Sequence, residues 1–400
     1  MKILVIDEEF PWPLNNGKRT RSYSLIRALA AQNEVTWLAY GEDGSDAARA
    51  LEDIGIRCHS VPAPDRSQQG LRFYWRLFAN LFSPLPYIVT SHVTARFERR
   101  LRELIDEGDF DLLLCEWSPY AIFLRDLEGI RSVVVAHNIE SYIWARYEEN
   151  ETNPFRRWYI RIQKEKVERF ERECFRWAEG ATAVSEAEAR EIEEYGAGYP
   201  VETVENGVDV DFFRPTPEAS PEPHRMIFSG AMDWRPNQDA VEYMVEDILP
   251  AVREQLPDAE FRVVGRRPPD SITQLDALEG VSITGTVDDV RPYMAESAVC
   301  VVPLRIGGGS RLKILAAMAM GKPVISTSIG AEGLQVTHDR DIILADGPEE
   351  IARTLVECLR DPDRMRKIAD AGRALVEDHY RWESLGAKLH AYLTRVVDDR

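Results

Sequence analysis

The chain has 400 residues, a formal net charge of −19 at pH 7 and a hydrophobic content of 44%. This length predicts two or three domains, and this apolar content is enough to form buried cores. The excess of acid argues against nucleic acid as the main partner, because phosphate backbones bind basic surfaces, and it fits either ordinary solubility or a salt-rich habitat.

The N-terminal residues MKILVIDEEF lack the basic start and the long apolar core of a signal peptide. No run of about eighteen apolar residues predicts a membrane span. None of the five cysteines stands at a metal-ligand spacing, so we expect free thiols in a reducing cytoplasm and no metal site. The cysteines are Cys58, Cys115, Cys174, Cys300 and Cys358.

Predicted strands and helices alternate through the first half of the chain. Lys2–Asp7 is predicted to be a strand, and Arg19–Ala31 an amphipathic helix that follows a turn containing Asn16 and Gly17. Further strands are predicted at Glu34–Tyr40, Arg57–Val61, Asp111–Cys115 and Ser132–Ala136. Alternating β and α units predict an α/β domain with a largely parallel, doubly wound sheet.

Two segments of this half combine aromatic and basic residues. Leu71–Phe82 holds five aromatic side chains, two arginines and no acid, and Phe155–Lys166 holds five cations and one acid. One helical stripe of the first segment consists of Leu71, Trp75, Phe78 and Phe82. Such helices are typical of contacts with anionic lipid headgroups, which predicts a peripheral membrane surface. A core helix with two surface arginines is the alternative.

His137 directly follows the predicted strand Ser132–Ala136. Parallel sheets present functional groups at the carboxyl ends of their strands, so this histidine is a candidate for chemistry. A structural histidine is the alternative interpretation.

A proline-rich segment separates the two halves of the chain. Pro215–Pro223 contains four prolines and is predicted to be a stiff, extended linker. The strands predicted after it, at Arg225–Gly230, Glu260–Val264 and Val281–Thr284, begin a second α/β domain.

The segment Val301–Glu332 combines a strand, a glycine loop and a helix start. Three glycines lead to Ser310 as the predicted N-cap, and Arg311 and Lys313 are expected in the first helical turn. The helix dipole disfavours cations there by about 0.3–1 kcal/mol each, so their presence indicates a bound anion such as a diphosphate. A solvated helix start after a tight turn is the alternative.

These segments resemble the retaining glycosyltransferases of the GT-B fold, family 4. The resemblance rests on the N-terminal loop, His137-Asn138, the turn NGVD at 206–209, and the stretch GGGSRLKIL with its continuation AMAMGKPVIS. It implies two Rossmann-like doubly wound domains that face a central cleft, with a C-terminal helix crossing back to the first domain. The expected boundaries are 1–205 for the acceptor-side domain, 206–223 for the linker, 224–380 for the nucleotide-sugar domain and 381–400 for the crossover helix.

The resemblance also implies roles for individual residues. His137 is expected to contact the transferred sugar as the catalytic residue. The donor diphosphate is expected to lie against Asn16, Gly17, Arg235, Gly309, Ser310, Arg311 and Lys313. The ribose and base are expected near Ala316, Gly265, Thr286 and Val287. The two glutamates of the family correspond here to Gly308 and Ala316, and the second binds the ribose in the family. A plain βα turn remains the alternative for Asn16 and Gly17.

The activity implied is the transfer of a sugar from a UDP- or GDP-sugar to a hydroxyl of a glycan or lipid-linked acceptor, with retention. Neither a metal nor a further cofactor is expected. The expected location is the cytoplasm, peripheral to the inner face of the membrane. One alternative is a nucleotide-binding protein made inactive by Ala316, whether that residue is natural or engineered. The other is a nucleotide-sugar 2-epimerase, which would need additional carboxylates to abstract a proton.

Overall fold

The computed structural model describes residues 1–64, 70–216, 220–306 and 311–399. The chain divides into two units, which we call unit 1, Met1–Glu205 with Leu385–Arg400, and unit 2, Asn206–Ser384. Each unit is built on one parallel sheet.

Seven strands form the sheet of unit 1. They are β1 (Lys2–Ile6), β2 (Glu34–Tyr40), β3 (Arg57–Val61), β4 (Leu112–Cys115), β5 (Arg131–Val135), β6 (Gly180–Ala183) and β7 (Glu202–Thr203). Their order is β3-β2-β1-β4-β5-β6-β7, and Ile3 of β1 lies between Val35 of β2 and Leu112 of β4. Apart from their first residues, Lys2 and Arg131, strands β1, β4 and β5 are buried and almost wholly apolar, as expected for a parallel sheet covered on both faces.

Eight helices belong to the first part of unit 1. They are α1 (Gly17–Ala30), α2 (Asp46–Glu52), α3 (Gly70–Asn80), α4 (Tyr87–Thr90), α5 (Ala95–Glu107), α6 (Glu140–Asn150), α7 (Pro154–Cys174) and α8 (Glu186–Glu194). Polar side chains cap several of them by accepting hydrogen bonds from first-turn N–H groups, as the residue types predict. These caps are Asn16, Ser45, Thr94, Asn153 and Ser185.

Unit 2 has a six-stranded parallel sheet. Its strands are β8 (Glu222–Ser229), β9 (Glu260–Val264), β10 (Val281–Ile283), β11 (Ser297–Val302), β12 (Val324–Ser326) and β13 (Ile343–Leu344). Their order is β10-β9-β8-β11-β12-β13.

The helices of unit 2 are α9 (Arg235–Tyr243), α10 (Leu249–Gln255), α11 (Asp270–Thr273), α12 (Arg291–Ala295), α13 (Leu312–Ala319), α14 (Pro348–Arg360) and α15 (Pro362–His379). A π-helical turn at Met244–Ile248 joins α9 to α10. Pro250, which cannot donate a backbone hydrogen bond, is the second residue after that turn.

The last helix, α16 (Trp382–Asp398), returns to unit 1. A Cβ atom added at Gly386 would lie 2.3 Å from the Cβ of Ala28 in α1, so glycine is needed for this close approach. The Tyr392 hydroxyl accepts a hydrogen bond from the Ala181 backbone N–H at 2.9 Å. The predicted return of the C-terminal helix to the first domain is therefore confirmed.

Both sheets reverse their winding direction beside their first strand. Successive strands extend one way from β1 and the other way from β4, and the same holds for β8 and β11. In open α/β sheets, ligands bind at the carboxyl ends of the strands at such a switch point. The predicted pair of doubly wound, Rossmann-like sheets is confirmed, and each sheet has one switch point.

Helix α3 turns its apolar stripe outward. The side chains of Leu71, Trp75, Phe78 and Phe82 are 51–89% exposed. The alternative of a core helix is therefore wrong, because the face that packs inward carries Phe73, Leu77 and Asn80 instead. Within the described ranges, no helix combines the length and the hydropathy needed to cross a membrane.

Candidate active site

Two glycines line the carboxyl edge of the unit 2 sheet. Gly230 follows β8 and donates a backbone hydrogen bond to Val264 at 3.0 Å, and Gly265 follows β9. A Cβ atom at Gly265 would lie 1.7 Å from the carbonyl oxygen of Gly230, so no larger residue fits there. We call this stretch of bare backbone the glycine floor.

Lys313, in the first turn of α13 as predicted, places its ammonium group beside the glycine floor. A Cβ atom at Gly230 would lie 3.0 Å from Lys313 Nζ. Nζ donates a hydrogen bond to Asn237 Oδ1 at 2.6 Å and lies 4.0 Å from the centre of the Phe228 ring. The lysine is half-buried as a residue, but its charged end lies against a fully buried aromatic ring.

This charge has no acidic counterpart in the part of the chain that the structure describes. The side-chain hydrogen bond of Lys313 goes to a neutral amide, and no carboxylate forms an ion pair with it among the described residues. Burial, with a smaller contribution from Arg311, lowers the pKa of Lys313 to about 7. A desolvated cation without a counter-ion is costly unless an anion binds beside it.

Arg311 lies just before α13 and not in its first turn, because the helix begins at Leu312. The predicted first-turn position of Arg311 is therefore wrong. Its guanidinium donates to the carbonyl oxygen of Glu332 at 3.0 Å and to the Glu332 carboxylate at 3.1 Å. Its backbone is left-handed, with φ of 52°, which costs a residue with a side chain about 1–3 kcal/mol.

The other residues predicted around the donor are distributed as follows. Arg235 is the first residue of α9 and is exposed. Thr286 and Val287 lie in the loop after β10. Gly309 and Ser310 lie outside the described residues.

Ala316 shares the helix face of Lys313, since residues three apart on a helix are neighbours. Its side chain keeps 6% exposure, whereas Ala317 and Ala319 are fully buried. The position that holds a glutamate in the family therefore lies on the helix face of Lys313 and is buried in the core of unit 2, slightly less completely than Ala317 and Ala319.

Asn16 and Gly17 belong to unit 1. The Asn16 carboxamide oxygen accepts a hydrogen bond from the Arg19 N–H at 2.9 Å, so this side chain is engaged as the cap of α1. Gly17 is the first residue of that helix and is not among the glycines with positive φ.

A polar cluster occupies the switch point of unit 1. Lys18 Nζ, in α1, donates to Asp7 Oδ1 at 2.8 Å and to Glu8 Oε1 at 2.9 Å, both of which follow β1. Burial raises the pKa of Asp7 to about 7, although Lys18 opposes the shift. Burial acts to lower the pKa of Lys18, but the two carboxylates raise it by more. The net pKa is therefore raised, and Lys18 stays charged.

His137 lies at the carboxyl end of β5, beside this cluster. Its Nε2 lies 2.7 Å from the carbonyl oxygen of Glu116 and 3.4 Å from the Glu116 carboxylate. Burial lowers the pKa of His137, while Glu116 opposes the shift. The imidazole is therefore neutral near pH 7.

Three charged residues of unit 1 were not predicted from the sequence, namely Asp7, Lys18 and Glu116. Asp7 and Glu116 could have been identified from the sequence, because each directly follows a buried apolar strand. In the described part of the chain, no group of three or more His, Cys, Asp or Glu residues is placed to hold a metal ion.

Comparison with known proteins shows similarity along most of the chain. Residues 15–212 match the family described as Glycosyltransferase Family 4, and residues 223–361 match the family described as Glycosyl transferases group 1. A GDP-mannose-dependent alpha-(1-6)-phosphatidylinositol monomannoside mannosyltransferase of Mycobacterium tuberculosis is 29% identical over 222 residues. That match covers 50% of this chain and 57% of the relative. An uncharacterized protein of the cps region of Klebsiella pneumoniae is 21% identical over 95% of this chain and 96% of its own length.

Solved structures with low sequence identity share the fold. Sucrose-phosphate synthase from Thermosynechococcus elongatus superposes with a TM-score of 0.73 at 16% identity, covering all of both chains. Anabaena HepE in complex with UDP and glucose superposes with a TM-score of 0.67 at 15% identity, covering 98% of this chain and 99% of that one. The two family matches and this fold identify the chain as a member of glycosyltransferase family 4 with the GT-B fold.

Proposed function

We propose that this chain transfers a sugar from a UDP- or GDP-sugar to a hydroxyl of a glycan or lipid-linked acceptor, with retention at the anomeric carbon. The observation that carries the proposal is Lys313, whose ammonium faces the glycine floor without a carboxylate partner in the described residues. A bound diphosphate would supply the missing negative charge, and the bare backbone would let it approach closely.

The same arrangement explains how the donor bond would break. Negative charge develops on the diphosphate as it leaves, and the protonated Lys313 and the N–H groups at the start of α13 would stabilise that charge. The Glu332 carboxylate holds Arg311 at the same helix end. In unit 1, His137 would contact the transferred sugar.

Relatives support the choice of substrates to test. The mycobacterial and corynebacterial relatives carry GDP-mannose and a phosphatidylinositol lipid in their names, and HepE was solved with UDP-glucose. GDP-mannose and UDP-glucose are therefore the first donors to test, with lipid-linked glycans as the first acceptors.

The surface of unit 1 supports a lipid-linked acceptor. Besides the exposed stripe of α3, Phe155 and Trp158 at the start of α7 are 83% and 55% exposed. Arg72, Arg156 and Arg157 are exposed within the same two segments. Aromatic side chains with neighbouring arginines suit the headgroup region of an anionic membrane. We infer that the protein is cytoplasmic and binds peripherally to the inner face of the membrane.

The test is an assay for nucleoside diphosphate released from each nucleotide sugar, with and without acceptor. We expect release with one donor, and loss of release in Lys313→Met. Lys322→Met is the matched control, because Lys322 is another lysine whose pKa burial lowers, to about 8, and its Nζ binds the carbonyl oxygens of Ala295 and Ser297. Equal release by the wild type and Lys313→Met would contradict the proposal.

One observation favours a second candidate function, nucleotide binding without transfer. Ala316 presents a methyl group where the family has the carboxylate that binds the ribose. Under this alternative, calorimetry detects nucleotide binding while no donor is consumed in the same assay.

A further inference from the structure

Glu116, at the switch point of unit 1, is a buried charged residue for which the proposed reaction has no role so far. It directly follows β4, is 2% exposed, and directs one carboxylate oxygen, Oε1, towards His137 Nε2 at 3.4 Å. That oxygen makes no hydrogen bond of good geometry with any described residue. Burial acts to raise the pKa of Glu116, but the contacts with His137 and other neighbouring groups together lower it by more. The net pKa is lowered, so the carboxylate is ionised.

The contacts of His137 define which ring nitrogen carries the proton. Nε2 lies 2.7 Å from the carbonyl oxygen of Glu116, and a carbonyl oxygen can only accept a hydrogen bond. The ionised carboxylate of the same residue can also only accept. Nε2 therefore holds the proton, and in a neutral ring Nδ1 is left with a lone pair.

Burial of the ring, more than the charges around it, keeps His137 neutral. Burial lowers the pKa of His137 most, and Arg21 and Lys18 of α1 lower it further, whereas Glu116 is the group that opposes them. A neutral imidazole is suited to this position, because positive charge develops on the sugar as its bond to the diphosphate breaks. An imidazolium would repel that charge.

We propose that Glu116 is a positioning residue for His137, and that the pair presents Nδ1 as a hydrogen-bond acceptor to a hydroxyl of the sugar substrate. The backbone carbonyl of Glu116 keeps the proton on Nε2 of His137. The Glu116 carboxylate is a second acceptor near the same nitrogen, and it restrains the orientation of the imidazole ring. This inference rests on the proposed glycosyl transfer and assigns His137 the role of an acceptor and not of an acid.

The first test requires no substrate, so its failure is separate from a failure of the proposed transfer. Nitrogen NMR of histidine-labelled protein identifies the His137 signals by their loss in His137→Ala. We expect a protonated Nε2 and an unprotonated Nδ1. In Glu116→Gln the pKa of His137 should fall by about one pH unit or more, because an opposing carboxylate has become a neutral amide.

Glu140→Gln is the matched control, since the carboxylate of Glu140 is also buried but accepts from Trp117 Nε1 at 2.9 Å. A protonated Nδ1, or a His137 pKa that moves no more in Glu116→Gln than in Glu140→Gln, overturns the proposal. Circular dichroism checks that each variant folds. If Glu116→Gln does not fold, Glu116→Asp keeps the charge and withdraws it from the ring, and a lower His137 pKa is again expected.

The second test uses a donor that the wild type consumes. Glu116→Gln and His137→Ala should each lower kcat, and the double variant should be no slower than His137→Ala alone, because Glu116 acts through the ring. Glu140→Gln should keep the wild-type kcat. Additive losses in the double variant would show that Glu116 acts independently of His137.

Discussion

Lys313 links nucleotide binding to pH. Its pKa in the free protein is about 7, so above pH 7 the side chain is mostly neutral, and a diphosphate that binds beside it must bring a proton with it. Affinity for UDP or GDP should therefore be constant below about pH 6.5 and fall roughly tenfold per pH unit above pH 7. Calorimetry at pH 8 in two buffers of different ionisation enthalpy would measure this proton uptake.

Two variants act as controls for that experiment. Lys313→Met should bind the nucleotide weakly, with no proton uptake, whereas Lys322→Met should keep the wild-type pH dependence, since Lys322 lies away from the glycine floor on two backbone carbonyls. Proton uptake that persists in Lys313→Met would assign the pH dependence to another group.

Replacing Ala316 by glutamate should increase nucleotide binding and activity. A glutamate there would accept hydrogen bonds from ribose hydroxyls, and charge-assisted bonds of this kind contribute about 1.5–3 kcal/mol. Ala316→Glu should therefore tighten nucleoside diphosphate binding about ten- to a hundredfold and raise transferase activity. Ala317→Glu is the matched control, because Ala317 is fully buried in the core and a carboxylate there should lower stability without tightening binding. An Ala316→Glu variant that binds no better than the wild type would show that the ribose lies elsewhere.

The sequence was sufficient to select Lys313 but not Glu116. A cation in a helix start after glycines is a local pattern, and local patterns can be read from neighbouring residues. The contact between Glu116 and His137 joins the ends of two parallel strands, 21 residues apart in the chain, and depends on strand order. Arg311 was predicted one position too deep in its helix because the start of α13 depends on a left-handed residue that the sequence does not signal.

Side chains of α7 hold the end of helix α3, while its outer face is exposed to solvent. Lys166 Nζ of α7 donates to the carbonyl oxygens of Asn80 at 2.6 Å and Ser83 at 2.7 Å, at the end of α3. The Gln163 carboxamide donates to the Asn80 side chain at 2.9 Å. The bond to Asn80 satisfies the last carbonyl of the helix, and the others hold the segment that follows it and the Asn80 side chain, so the end of α3 is anchored to α7.

The anchored stripe should bind anionic membranes. We expect the protein to sediment with phosphatidylglycerol liposomes at low salt and to be released at about 0.3–0.5 M salt, where screening weakens the arginine contacts. Trp75→Ala with Phe78→Ala should lower the bound fraction, because the aromatic insertion is lost. Trp234→Ala is the matched control, an exposed tryptophan of unit 2. Equal sedimentation of all variants, or none by the wild type, would assign the stripe to a contact with a protein.

Secondary structure followed closely from sequence patterns, but the orientation of α3 did not. The strand at 34–40 was predicted to the residue, because buried parallel strands are largely apolar runs bounded by turns. The strand at 57–61 was also predicted to the residue, although it is only partly buried. The helical stripe of Leu71, Trp75, Phe78 and Phe82 has the same spacing whether it faces a core or the solvent. Only the packing of Phe73 and Leu77 inward decides between these arrangements.

At the scale of the whole molecule, each unit has its own core, so each should unfold separately. Leu393 of α16 is fully buried in unit 1, and Leu355 of α14 is fully buried in unit 2. Leu393→Ala and Leu355→Ala should each destabilise by about 2–5 kcal/mol, but in different thermal transitions. Differential scanning calorimetry would resolve the two transitions, and a single transition lowered equally by both variants would show that the units unfold together.

The return of α16 has a consequence for how the protein is made. The ribosome releases the seven strands of unit 1 long before α16, the helix that packs on α1 and whose Tyr392 hydroxyl accepts a hydrogen bond from β6. Residues 206–384, by contrast, form a continuous segment, so they are the first to leave the exit tunnel as a complete folding unit. The nascent N-terminal sheet therefore has to wait, with its α16 face uncovered and the aromatic stripe exposed, until α16 has been synthesised. At about 5–20 residues per second, that wait lasts roughly ten to forty seconds.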